Sequence, residues 1–440
     1  MRRFGVVALV ACAVASTAQA GVRATDVATS TTSASATIAW TTTTPSRGRV
    51  AFGVGEPALW SAREAAPTTR HSVTLPDLEP ATTYAFRVAG SDVAGTVTTA
   101  ERAATPRFGV DGARITADGS LFFPVFSYEQ CADTVDRAVA VGVNTFVQVP
   151  YTGCDRPSGR SPPYVLSDDY AAAGGIGWYL PDEPDGWGIP PERMPALPPV
   201  QDTGRLRVLN ITQHFYSGQA PINDRFDRSD YKRFAAEADV VGFDMYPVVK
   251  FCGRVPLSDG FRAQRELMTI YAPGKPTFQW IETSRMTGEC ATMAITPSIV
   301  NAEAWLAVAG GACGLGLFTN SWTGDRWNRW DFDPGVELQL ASTVSRLRSL
   351  APALCTDVLP VVVPWNGPVV ASARTLNGAL YVVAVNGGAT PVSVPLRVDG
   401  LAGRAVSVLG EGRTLKPAKR VFLRDRFEPY AVHVYVAAPA

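Results

Sequence analysis

Between residues 107 and 351, short apolar runs alternate with helical stretches, and this alternation narrows the possible folds more than any other feature. The apolar runs are 121–126, 144–149, 176–180, 207–211, 239–245, 276–281 and 314–319. They are too short for ordinary helices and read as buried strands. Helical stretches at 131–141, 228–237, 260–271, 297–309 and 335–350 lie among them. Such alternation argues for a parallel sheet, because a parallel crossover needs a long connection that a helix supplies. Seven clear strands and a weak one at Tyr164-Val165-Leu166 make eight, enough to close a (β/α)8 TIM barrel at about 105–355. The interval 151–173 is short and broken by Pro and Gly, so local irregularity is expected there.

The flanks read differently. Residues 21–104 are rich in Thr, Ser, Val and Ala, with strand-like runs at 36–40, 48–52, 72–75 and 83–88 separated by turn residues. That spacing argues for a small β-sandwich. Residues 356–440 hold strand-like runs without helices, at 358–363, 369–375, 379–385, 392–397, 405–409 and 430–436, and read as a second sandwich.

The first twenty residues read as a cleaved signal peptide. Arg2-Arg3 precedes the apolar run 4–15, and Ala18-Gln19-Ala20 is a small-residue cleavage site. The chain is therefore expected outside the cell, with no transmembrane segment. Formal net charge is zero and no basic block stands out, which argues against nucleic acid and anionic membranes as partners. Beyond residue 20 there are six cysteines, an even count that suggests disulfides in an exported chain. Cys252 and Cys290 each lie just past a strand end, on strands that are neighbours in a barrel, so a bridge between them is expected. Elimination and sequence proximity then leave Cys131–Cys154 and Cys313–Cys355. There is no Cys-x-x-Cys pair, and His71, His214 and His433 are scattered, so neither a metal nor an organic cofactor is expected.

Chemistry concentrates in Gly177-Trp178-Tyr179-Leu180-Pro181-Asp182-Glu183-Pro184-Asp185. Pro181 and Pro184 cannot continue a ladder, so the acids sit at the C-terminal end of the fourth strand, where barrels carry catalytic groups. Glu282, in Phe278-Gln279-Trp280-Ile281-Glu282-Thr283, ends the seventh strand, with Glu289 as a rival. Two carboxyls at one barrel mouth are what glycoside hydrolysis requires, one donating a proton and the other attacking the anomeric carbon. Glu183 is the expected acid, protonated at rest because a negative charge lies beside it, and Glu282 the expected nucleophile. About 5 to 5.5 Å between them is the retaining separation.

Three resemblances sharpen this reading. Leu78-Glu79-Pro80-Ala81-Thr82-Thr83-Tyr84, with Trp40 upstream, resembles a fibronectin type III domain, which implies that the Tyr84 hydroxyl is tied to nearby backbone. Residues 427–435 resemble the closing strand of sandwiches that follow glycosidase barrels. The barrel region resembles the clan A retaining glycoside hydrolases, in which the acid ends strand four and the nucleophile strand seven. Residues 238–247 resemble that clan's sixth strand. Phe318-Thr319-Asn320-Ser321-Trp322 resembles its eighth, where a Trp commonly floors the sugar site. Asp182 stands where most members carry Asn, as in divergent sequences with an Asp-Glu-Pro strand end. The candidate sugar contacts are Asp182, His214, Asp244, Tyr246, Trp280 and Trp322. The expected activity is secreted glycoside hydrolysis of a polysaccharide or oligosaccharide. A non-catalytic glycan-binding or cell-wall-associated protein on the same barrel is the alternative.

Overall fold

The structure, a computed structural model, describes residues 24–439 except 103–104, 149–153, 156–163, 172–174, 220–224, 286–289, 291–293, 324–325, 364–366, 402 and 419–421. The expected signal peptide, Glu289 and the Trp322 side chain lie outside the described part.

Eight parallel strands close a barrel: β1 (Val125–Tyr128), β2 (Thr145–Val147), β3 (Tyr164–Ser167), β4 (Gly177–Tyr179), β5 (Leu206–Thr212), β6 (Val240–Asp244), β7 (Thr277–Glu282) and β8 (Leu315–Phe318). The weak third strand takes its place between β2 and β4. Phe126 of β1 packs on Phe278 of β7 at 4.7 Å between ring centroids, and Trp280 lies 6.4 Å from Phe126. β1 and β7 are not neighbours, so these rings meet inside the barrel. A Cβ on Gly242 or Gly316 would lie 2.2 or 2.3 Å from the rings of Phe278 and Trp280, so glycine on β6 and β8 makes room for them.

The amino-terminal part forms antiparallel sheets of three and four strands, with Trp40, Phe52, Tyr84 and Phe86 buried. The Tyr84 hydroxyl accepts a hydrogen bond from the Glu79 amide at 2.8 Å. The carboxy-terminal part forms a six-stranded sheet and a two-stranded ribbon, Val392–Arg397 with Phe422–Phe427. Val382, Ala384 and Tyr435 face the ribbon, while Tyr381, Val383 and Val434 join the core shared with the barrel helices. Burial on both faces explains why Ala379–Asn386 is apolar without alternation.

A fully buried cation fastens this sheet to the barrel. Arg374 donates through Nη2 to the Val308 carbonyl at 2.7 Å and through Nε to the Leu354 carbonyl at 3.0 Å. These carbonyls lie in the last turns of the helices Pro297–Gly310 and Val336–Leu354, where a positive charge complements the helix dipoles. Arg374→Met keeps the bulk but leaves both carbonyls without this donor. It is expected to cost roughly 2–4 kcal/mol, read from urea unfolding midpoints. An unchanged midpoint would refute the anchoring role.

Three disulfides form: Cys131–Cys154, Cys252–Cys290 and Cys313–Cys355. The first two join connections that leave the C-terminal ends of β1 and β2, and of β6 and β7. Disulfides therefore staple the barrel mouth itself.

Candidate active site

The strand β4 stops at Pro181 and delivers Asp182 and Glu183 to the C-terminal mouth. Glu183 adopts a left-handed conformation, φ 46° and ψ 51°, before the one-turn helix Pro184–Trp187. A non-glycine residue stays there only where the surrounding structure over-determines it, and such strain clusters at functional sites. The support includes its own amide, which donates to the Asn210 carbonyl at 3.1 Å. The Glu183 side chain is half-buried and reaches the mouth.

Asp182 is committed to protein partners. Its carboxyl accepts from the Tyr179 hydroxyl at 2.8 Å, the Asn210 amide at 3.0 Å and the Tyr128 hydroxyl at 3.0 Å. Tyr128 ends β1, so the last bond crosses the mouth. Burial, then the charge of Glu183, pushes Asp182 up to about 6 against those hydrogen bonds. The folded protein therefore keeps this proton to higher pH than the unfolded chain, whose carboxyl ionises near 3.8. The resulting stability is present at low pH and is lost as pH rises through about 6. Asp182→Asn removes the titration, so its unfolding midpoint should change less than that of the native protein between pH 4 and 7, about the window of this shift. Equal slopes would overturn the assignment.

The third acid of the motif turns away. Asp185 is fully buried and accepts from the Thr212 amide at 3.1 Å, the Thr212 hydroxyl at 2.5 Å and the Tyr231 hydroxyl at 2.8 Å. His214 belongs to the same cluster. It is buried in the turn Gln213–Phe215, with its ring 6.0 Å from Tyr231, and burial holds its pKa down. His214 thus packs in the buried cluster around Asp185 and Tyr231.

From β6 comes Asp244, 4% exposed. Its Oδ1 is buried and receives no N–H or O–H donor. Burial, then Glu183, holds Asp244 well above the carboxylate range. Two residues on, Tyr246 is buried, and its hydroxyl is pushed well above its ordinary range by burial and by Asp244, Glu183, Asp182 and Glu282 together.

Glu282 is differently placed from the open nucleophile that strand position alone suggests. It is 0% exposed. One carboxyl oxygen accepts from the Val248 amide and the other from the Val249 amide, both at 2.7 Å. Its side chain also meets Glu303 of the helix Pro297–Gly310, which burial and Glu282 push well above the carboxylate range. The Glu282 amide donates to Glu303 Oε2 at 3.2 Å, so Glu303 backs the residue that clamps the turn after β6. On the other side of that turn is a cavity of about 600 Å³, lined by Val248, Pro256, Arg262, Pro368 and Tyr430 among others, and by none of the mouth carboxyls.

Aromatic rings make the floor and wall. Tyr128 meets Trp280 edge-on at 5.8 Å and lies 6.0 Å from Phe318, while Phe318 contacts Tyr246 at 5.4 Å and Trp327 at 6.2 Å. Trp280, 2% exposed, is part of the barrel filling beneath the mouth, so the expected sugar contact is a core residue. Tyr128, Asn210, Phe318 and Glu303 escaped the sequence reading. Asn210 and Glu303 carried a usable signal, since each is a polar residue inside an apolar run. Among the described residues, no group of three His, Cys, Asp or Glu side chains is arranged to hold a metal ion.

No family model and no curated protein matches this sequence. Solved structures align with about three quarters of this chain. A beta-glucuronidase of Faecalibacterium prausnitzii is 11% identical with a TM-score of 0.37, over 74% of this chain and 66% of its own. A GH2 beta-galacturonidase from Eisenbergiella tayi is 12% identical with a TM-score of 0.36, over 74% and 73%. A GH30 endoxylanase from Clostridium papyrosolvens is 8% identical with a TM-score of 0.29, over 76% and 98%. This chain thus spans just under two thirds of the first enzyme's length. At such distances no residue role is transferred.

Proposed function

We propose that the protein is a secreted glycoside hydrolase acting on a polysaccharide or oligosaccharide, with a fibronectin type III-like module before the barrel and a β-sandwich after it. The observation that carries this reading is the placement of Asp182 and Glu183 just past β4, Asp244 at the end of β6 and Glu282 at the end of β7, all at the C-terminal mouth of one closed parallel barrel. Glu183 is the general acid and base, because it alone of these carboxyls is both near solvent and free of a saturated shell of donors. Glu282 is the nucleophile of a retaining mechanism and attacks once the Val248–Val249 turn releases one of its oxygens. Export is supported by the charged and apolar leader, by three disulfides, and by the lack of any described helix long and apolar enough to cross a membrane.

The test is a panel of polysaccharides and aryl glycosides offered to the purified protein. Release of sugar by the native protein and its loss in Glu183→Gln supports the proposal. One observation favours a second reading, a glycan-binding protein on a barrel that no longer turns over: both Glu282 oxygens are already occupied. Binding to a polysaccharide without hydrolysis of anything in the panel would select that reading.

A further inference from the structure

Tryptophan is seldom left open to water, because burial of its large apolar face is favourable. Trp187 departs from that rule. It is 74% exposed, while Trp40, Trp178, Trp280, Trp305 and Trp330 are all exposed by 4% or less. Among the described residues it is the only exposed aromatic side chain. It stands beside the candidate acid. Glu183 and Trp187 open and close one turn, and the Trp187 amide donates to the Glu183 carbonyl at 3.1 Å. Within that turn, a Cβ added to Gly186 would lie 3.7 Å from Glu183 Oε2, so the carboxyl lies along the turn that carries the indole. The turn is fixed from several sides. Asp185 takes the Thr212 amide and hydroxyl and the Tyr231 hydroxyl beneath it. Arg225 Nη1 donates to the Gly186 carbonyl at 2.9 Å, and the Ile189 amide donates to the Pro184 carbonyl at 2.8 Å. A ring on fixed backbone loses little freedom when it takes a ligand. Gly186 and Gly188 on either side of Trp187 carry no side chain that could cover it.

We propose that Trp187 is the platform for the sugar residue on the leaving-group side of the scissile bond, and that the substrate is a glycan cut between two sugar residues. The inference rests on the hydrolase reading above. The glycosidic oxygen must come within hydrogen-bond reach of the Glu183 carboxyl to take its proton. Below Glu183 the mouth is closed, since Trp280 and Tyr246 are buried. A chain bound at the acid therefore continues outward, past the turn that carries Trp187. Sugar rings present faces of C–H bonds, and the face of an indole is the negative side of its quadrupole, so the two stack. Such a contact needs no particular hydroxyl pattern. It selects for a ring in the leaving group and leaves the choice of sugar to the buried end of the site. Trp187 touches the substrate without touching a reacting atom, and it exchanges no proton.

Trp187→Ala and Trp187→Phe test the platform. The residue is exposed, so the urea midpoint of each variant should stay near that of the native protein, and folding drops out of the comparison. Each variant is measured on an oligosaccharide that the native protein cleaves and on the glycosyl fluoride of the same donor sugar, whose leaving group has no ring. On the oligosaccharide, Trp187→Ala should lose about tenfold in kcat/KM, mostly through KM, and Trp187→Phe should recover most of that loss. On the fluoride the loss should be much smaller. No loss on the oligosaccharide, or equal losses on both substrates, overturns the platform and leaves the hydrolase reading standing. If the native protein hydrolyses nothing, affinity electrophoresis through gels containing the same polysaccharides decides. Retardation of the native protein that Trp187→Ala loses supports the platform and overturns the hydrolase reading alone. Equal retardation of both proteins, or of neither, overturns both.

Discussion

Glu282→Ala is expected to lose turnover on every glycoside and a large part of the protein's stability at once. Both carboxyl oxygens of Glu282 accept backbone amides, from Val248 and Val249 at 2.7 Å, in a site with no solvent. Truncation strands two buried N–H groups, each worth roughly 1–3 kcal/mol, and leaves Glu303 without its partner. The unfolding free energy should fall by roughly 2–6 kcal/mol, measured in urea. Glu282→Gln separates structure from chemistry, because it keeps the bulk and one acceptor. If Glu282 is the nucleophile, folded Glu282→Gln fails even on activated aryl glycosides, since no covalent intermediate forms. Near-native turnover by that variant would reduce Glu282 to a clamp. The partner acid has its own signature. The Glu282–Glu303 pair holds its proton to higher pH in the folded state than in the unfolded chain. Stability from this pair is thus present at low pH and lost as pH rises through its raised titration. Glu303→Gln removes the shared proton while keeping a donor, and should flatten that alkaline decline.

Glu183→Gly is expected to make the protein more stable and far less active. A non-glycine residue at φ 46° is disfavoured, and glycine occupies that region freely. Relief of this strain, less the added freedom of the unfolded chain, should amount to about 1 kcal/mol. Loss of a carboxyl beside Asp182 and Asp244 works in the same direction. Turnover of native glycosidic bonds should drop about a hundredfold to ten-thousandfold, the usual worth of a general acid. Activated aryl glycosides, whose phenolate departs without a proton, should suffer much less. Urea unfolding and paired kinetics on the two substrate classes check both halves. A destabilised Glu183→Gly would show that the left-handed turn holds no strain that glycine relieves.

The barrel was legible because each strand leaves a local mark. Runs such as 207–211 and 276–281 are apolar on both faces, as strands covered inside and out must be, and prolines or charges end them. The weak third strand was legible only by counting. In the carboxy-terminal part, Arg413–Leu415 and Phe422–Phe427 were missed, and the second carries Arg424, Asp425 and Arg426 in a row, which mask the strand period. The bridge Cys252–Cys290 followed from adjacent strand ends, an inference that needs only topology.

The sequence by itself determined which residues reach the barrel mouth. Strand period, proline stops and strand order are local properties, and they put Asp182, Glu183, Asp244, Tyr246 and Glu282 at one end. Only the tertiary structure decided what each carboxyl does there. Tyr128, 54 residues before Asp182, reaches across to occupy it. Asp244, two strands away, is buried without a donor on Oδ1, and burial, then Glu183, holds it well above the carboxylate range. The turn after β6 folds back to close over Glu282, and Glu303 approaches it from a helix behind. Charge state and access depend on burial and on neighbours within a few ångströms, and those neighbours come from segments far apart in the chain.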